Sequence, residues 1–136
     1  MGLFDRFKKK KEAPLSGESL KWNKMFSLWS EGDLPSPYSE LVGYYGEIPS
    51  GGHPCYFDNT AGTYDLEKTV EILVENLPEK LSENLKEAYA FYVRSLSEDD
   101  EAACEELYKK MYECDIVYDK NQGLLEAVFQ EYANTL

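Results

Sequence analysis

Ser50-Gly51-Gly52-His53-Pro54-Cys55-Tyr56-Phe57-Asp58-Asn59, running on into Thr60-Ala61-Gly62, is the one stretch of this 136-residue chain that helical patterning does not account for. Adjacent glycines open backbone angles closed to other residues, Pro54 fixes φ where a helix can begin, and Asn59 with Gly62 can end a short helical turn. The expectation is a shaped connector with a short helix from Pro54 to Asn59, packed centrally through Tyr56 and Phe57.

On either side the sequence reads as helix. Upstream, Trp22, Met25, Phe26 and Trp29 recur at i, i+3, i+4 and i+7 within Ser16 to Ser30, and Glu31-Gly32-Asp33 stops that segment. Ser36-Pro37 offers an N-cap and a first-turn proline to a second helix carrying Tyr38, Leu41, Val42 and Tyr45 and ending at Gly46. Downstream, Leu66, Val70, Leu73, Val74 and Leu77 form the clearest amphipathic segment, capped by Thr63 and ended by Pro78. Leu81, Leu85, Ala88, Tyr89, Tyr92 and Leu96 mark the next helix. Ser97 then caps one that buries Cys104, Leu107, Tyr108, Met111 and Cys114, and a last helix from about Asn121 turns Leu125, Val128, Phe129 and Tyr132 inward. No strand alternation competes. The predicted fold is all-α, a single bundle of six or seven helices around the glycine-led connector.

Length sets one domain, since a chain of this size buries roughly 68% of its unfolded surface. Nineteen aromatic residues, 11 of them Tyr, exclude a disordered composition. No apolar run reaches the ~18 residues of a membrane span, and no secretory signal is legible, so a cytoplasmic location is expected. Cys55, Cys104 and Cys114 are odd in number and lack C-x-x-C spacing, which argues for free, interior thiols and against a zinc site.

Charge is the strongest global signal. Residues 1–14 carry five basic residues against two acidic ones, net +3, and read as a flexible basic tail whose Leu3, Phe4 and Phe7 could give weak contact with an anionic membrane. Residues 15–136 carry nine basic against 24 acidic residues, net −15. Direct binding of DNA or RNA is thereby disfavoured, and a basic partner favoured. The acids fall in three rows: Glu67, Glu71 and Glu75; Glu79, Glu83 and Glu87; Glu98, Glu101 and Glu105. Residues four apart rise about 6 Å along a helix, whereas duplex DNA carries a charge per about 1.7 Å of axis. Imitating it would require rows brought together by packing. The alternative is an ordinary solvated face, partly paired with Lys68, Lys86, Lys109 and Lys110.

His53 is the only histidine, so any triad would be built around it. Its nearest chemistry is a thiolate–imidazolium pair with Cys55, the ring oriented by Asp58. Pro54 intervenes and nothing fixes the geometry, so a structural turn is the expected case; neither a metal nor a cofactor is called for.

The pattern Gly51-Gly52-x-x-x-Tyr56-Phe57-x-Asn59-x-x-Gly62, followed by an acidic amphipathic helix, resembles a bacterial family of small helical domains of unknown function that includes the C-terminal domain of a DNA-mimic protein. The likeness spans about residues 37 to 96. Ser50 stands where that family has Asn, His53 where it has an aromatic, and Cys55 where it has Gln. The resemblance implies a helical domain without enzymatic activity whose carboxylates occupy a basic protein, a DNA-binding regulator among the candidates. The rival expectation is a small enzyme or ligand-binding protein with its site around His53 and Cys55.

Overall fold

A computed structural model describes residues 17–136, with side chains from Lys21 onward. These residues form five helices and no strand: α1 (Gly17–Ser30), α2 (Tyr38–Thr63), α3 (Leu66–Asn76), α4 (Glu79–Leu96) and α5 (Glu101–Ala133). The expected tail and its membrane contact lie outside the described residues.

The all-helical reading holds, but two breaks predicted from sequence are absent. The first lies between Cys114 and Asn121, where α5 runs without interruption for 33 residues, about 50 Å at the usual rise. Leu107, Met111, Cys114, Tyr118, Leu125 and Phe129 are all buried along it. Tyr118 continues the stripe of Cys114 and leads into that of Leu125, so one apolar face spans the supposed gap. Gly123 sits exposed in the helix, where it costs about 1 kcal/mol of propensity and does not break it.

The second absent break is at Gly46. Helical structure passes through Gly46 and Pro49 and bends only at Gly52, whose φ of 78° and ψ of 178° are non-helical. The separate connector and the short helix from Pro54 to Asn59 are therefore the bend and second arm of one kinked helix, which ends at Thr63 and not at Asn59. Together the two corrections turn seven expected segments into five.

Capping also differs from expectation in three places. Asp65, not Thr63, caps α3 by accepting from the Lys68 amide at 3.2 Å, while the Thr63 hydroxyl donates to the Asn59 carbonyl inside α2. Asp100, not Ser97, caps α5 by accepting from the Ala103 amide at 2.9 Å, and Ser97 instead closes α4. Pro37 occupies the N-cap position of α2, and the Ser36 hydroxyl donates to Glu40 at 2.8 Å. In each Asp case a carboxylate faces the positive helix end, an arrangement stronger than a hydroxyl would give.

Packing puts α5 against both α4 and α2. The core draws Met25 and Phe26 from α1, Leu41, Tyr44, Tyr45 and Phe57 from α2, Leu73 from α3, Leu81 and Leu85 from α4, and the stripe of α5. Polar ties fix the helices' register. Ser82 donates to the Val74 carbonyl at 2.7 Å across the α3–α4 turn, Asn84 donates to the Cys114 carbonyl at 2.8 Å between α4 and α5, and Tyr45 donates to Glu126 at 2.7 Å. Among the described residues no buried side-chain nitrogen or oxygen lacks a hydrogen-bond partner. Nor is any helix there long and apolar enough to cross a membrane.

Candidate functional site

The kink of α2 is built by residues from both sides of the bend. At Gly52 a Cβ would collide with Asp115 Oδ2, so space and the positive φ both require glycine. Bending there takes the His53 amide out of the helical ladder, and Asp115 of α5 receives it: Oδ1 accepts from His53 N at 2.8 Å and bonds His53 Nδ1 at 2.5 Å. A carboxylate from another helix thus caps the second arm of α2, which Pro54 opens without needing an N–H of its own.

On its other side the His53 ring meets the Tyr44 hydroxyl, with Nε2 and Oη 2.6 Å apart. An ionised carboxylate can only accept, so the partners assign a proton to Nδ1 and leave Nε2 to accept from Tyr44 in the neutral ring. Burial raises the Tyr44 phenol well above its ordinary range, reinforced by nearby Tyr118 and Tyr56, so the hydroxyl keeps its proton. Tyr118 in turn donates to the Tyr45 carbonyl at 3.4 Å. Pro49, four residues beyond Tyr45, has no N–H to supply that bond. The rings of Tyr44, Phe57 and Tyr118 surround the imidazole at centroid distances of 5.6, 5.9 and 6.5 Å.

This arrangement corrects the chemistry expected around His53. The side chain is 0% exposed and both ring nitrogens are engaged, so the imidazole has no atom left for a substrate. Cys55 is exposed on the outer side of the arm, where its sulfur accepts from Asn59 at 3.5 Å and packs back over Gly51. Asp58 accepts from the Tyr92 hydroxyl at 2.7 Å and ties α4 to α2. His53, Cys55 and Asp58 therefore form no constellation. The expectation of interior thiols also needs correction, since of the three cysteines only Cys114 is buried.

The residues carrying the sequence pattern divide by role. Tyr56 and Phe57 are buried, as expected, and Gly52 is the bend. Gly51 leaves room for Cys55, because a Cβ there would lie 2.9 Å from its side chain. Asn59 and Gly62 are exposed on the second arm. Sequence reasoning missed Asp115 and Tyr44. Asp115 stood beside the apolar stripe of α5, directly after Cys114, and a carboxylate at the margin of such a stripe is the signal that could have found it.

All nine row carboxylates, Glu67, Glu71, Glu75, Glu79, Glu83, Glu87, Glu98, Glu101 and Glu105, are exposed. Among the described residues only Glu83 has a basic partner, Lys86 at 3.2 Å. The expected pairing with Lys68, Lys109 and Lys110 is not formed, and Lys110 lies over the Phe91 ring instead, 5.5 Å from its centre. Tyr89 of α4 is raised above the ordinary phenol range, first by burial and then by Glu67 of α3, its cap Asp65 and Glu71, so the acidic edge of α3 acts electrostatically on α4.

Two hollows adjoin α2. A shallow one of about 200 Å³ lies over the kink between Ser50, Asp115 and Asp119. A larger cleft of about 390 Å³ is enclosed by the α1–α2 connection, α2 and the start of α3, with Glu40, Glu47, Tyr56 and Thr60 in its wall. No group of three or more His, Cys, Asp or Glu among the described residues could hold a metal ion. No family model matches this chain, and neither the curated proteins nor the solved structures compared with it yield a similar protein.

Proposed function

We propose that this protein is a non-enzymatic acidic interaction domain that binds a basic, DNA-binding protein through its rows of surface carboxylates. The observation that carries the reading is the exposure of nine row carboxylates of which eight lack a cationic partner among the described residues. Unneutralised charge of this kind accelerates encounter with a basic surface and selects against acidic ones. The contiguity of the helices supports it too. Ser82 joins α4 to α3 and Asn84 joins α4 to α5, so the three acidic segments lie on successive neighbours.

On the resemblance carried by Gly51, Gly52, Tyr56, Phe57, Asn59 and Gly62, the domain belongs with bacterial helical domains that include part of a DNA mimic, and its carboxylates stand in for phosphates. Position 53, aromatic in that pattern, is held here by a ring set among Tyr44, Phe57 and Tyr118. A cytoplasmic setting goes with this reading. The test is the affinity for a basic DNA-binding domain, measured across ionic strength and in competition with duplex DNA. The expected result is a log-linear fall with salt and displacement by DNA. Affinity that is absent, or flat with salt, sinks the reading.

A further inference from the structure

The cleft beside the first arm of α2 has a composition that the acidic rows do not explain. Its wall carries two carboxylates, Glu40 and Glu47, beside the phenols of Tyr56 and Tyr64. No lysine or arginine lies in the wall, and neither carboxylate has a basic partner among the described residues. One Glu40 oxygen accepts from Ser36, leaving the other available. Burial raises the Glu47 carboxyl above its usual range against the opposing pull of nearby Asn59, as expected of a carboxylate partly withdrawn from water without a cation. Between them the wall is aromatic and hydroxylic: Tyr56, only 4% exposed, faces Thr60, and Tyr64 stands at the rim. The volume of about 390 Å³ lies within the range of small-ligand sites.

We infer that this cleft binds a primary ammonium group on an apolar body, with Glu40 and Glu47 as its counter-charges and the tyrosine rings against its carbons. Acceptors outnumber donors in the wall, which favours an N–H-bearing ammonium over a quaternary one, and ring faces add attraction for the cation. The same chemistry occurs in a free alkyl- or arylammonium ion and in a lysine side chain. The site is separate from the row carboxylates and does not depend on the function proposed above.

The test follows backbone amide shifts of the full chain during titration with phenethylammonium, with phenethyl alcohol as the uncharged counterpart and a short neutral peptide bearing one lysine as the other source. Saturable shifts at Gly43, Glu47 and Thr60 with the ammonium, and none with the alcohol, are expected. E40Q and E47Q should each weaken binding by about tenfold, the scale of one charge-assisted hydrogen bond. E83Q, outside the cleft, should leave it unchanged. G43L supplies a second variant that the fold should accept, because a Cβ at Gly43 meets nothing within 4 Å, and its side chain should fill the cleft and abolish binding. Peptide shifts at the same amides, lost in G43L, assign the ammonium to a partner's lysine; shifts from the free ion alone assign it to a small molecule. The inference is overturned if no saturable shift occurs, if the alcohol binds equally, or if G43L binds as the parent does.

Discussion

The kink of α2 and the outer faces of α3 to α5 treat carboxylates in opposite ways. At the kink a single acid, Asp115, is 22% exposed and bonds two groups of His53, whose far nitrogen is engaged by Tyr44. On the outer faces only one of the nine row acids, Glu83, has a basic partner among the described residues. Buried charge must be satisfied within the fold, because leaving one partner alone there costs several kcal/mol, whereas water satisfies exposed charge at little cost. The first region is thus committed to stability and the second remains available for a partner.

The sharpest way to break this contrast is Gly52→Ala. A Cβ at that position collides with Asp115 and the backbone stays at positive φ, so a loss of about 2–4 kcal/mol is expected in the denaturant midpoint. An unchanged midpoint would mean that the bend is not fixed by this residue. Next is Asp115→Ala, which strips the cap from the second arm and orphans His53, with an expected loss of about 3 kcal/mol. Asp115→Asn keeps an acceptor oxygen and should lose less, about 1–2 kcal/mol. Equal losses in the two variants would remove the charge from the account.

Alkaline titration probes the buried side without substitution. Burial and the bond to Asp58 raise Tyr92 from 10.0 to about 12, and burial with nearby Glu87 raises Cys114 from 9.0 to about 11. The folded chain holds these protons to higher pH than the unfolded chain does, so their contribution is complete below about pH 9 and is lost as pH rises from there toward 12. Chemical denaturation at successive pH values should show that decline, and Tyr92→Phe should make its upper part shallower. The smallest effect belongs to the open side. Replacing Glu67, Glu71 and Glu75 by Gln should change stability by no more than about 0.5 kcal/mol per site while weakening any basic partner, which calorimetry on the variants would separate.

Much of the helical content was legible because apolar spacing reports directly on burial. Leu66, Val70, Leu73 and Leu77 place α3 to within a residue or two, and Leu81 to Leu96 do so for α4. The break expected near Asn121 failed because Tyr118 was not counted with its stripe, and the one near Gly46 because glycine and proline were given more authority than tertiary packing allows them. The polar knot was less legible. Gly52, His53 and Pro54 signal a bend, but its partners Tyr44 and Asp115 lie 9 and 62 residues from His53. The cleft was not legible at all, since Glu40, Glu47 and Thr60 lie on two arms of a helix whose angle the sequence does not state.

The sequence by itself determined that the chain is all-helical, that Tyr56 and Phe57 go inside, and that the chain beyond its first 14 residues carries net charge −15, because these follow from spacing, apolarity and composition. Only the tertiary structure decided that His53 bonds Asp115 and not Cys55, and that eight row carboxylates lack a basic partner among the described residues. Pairing depends on distances between helices, and those are set when the apolar faces pack together.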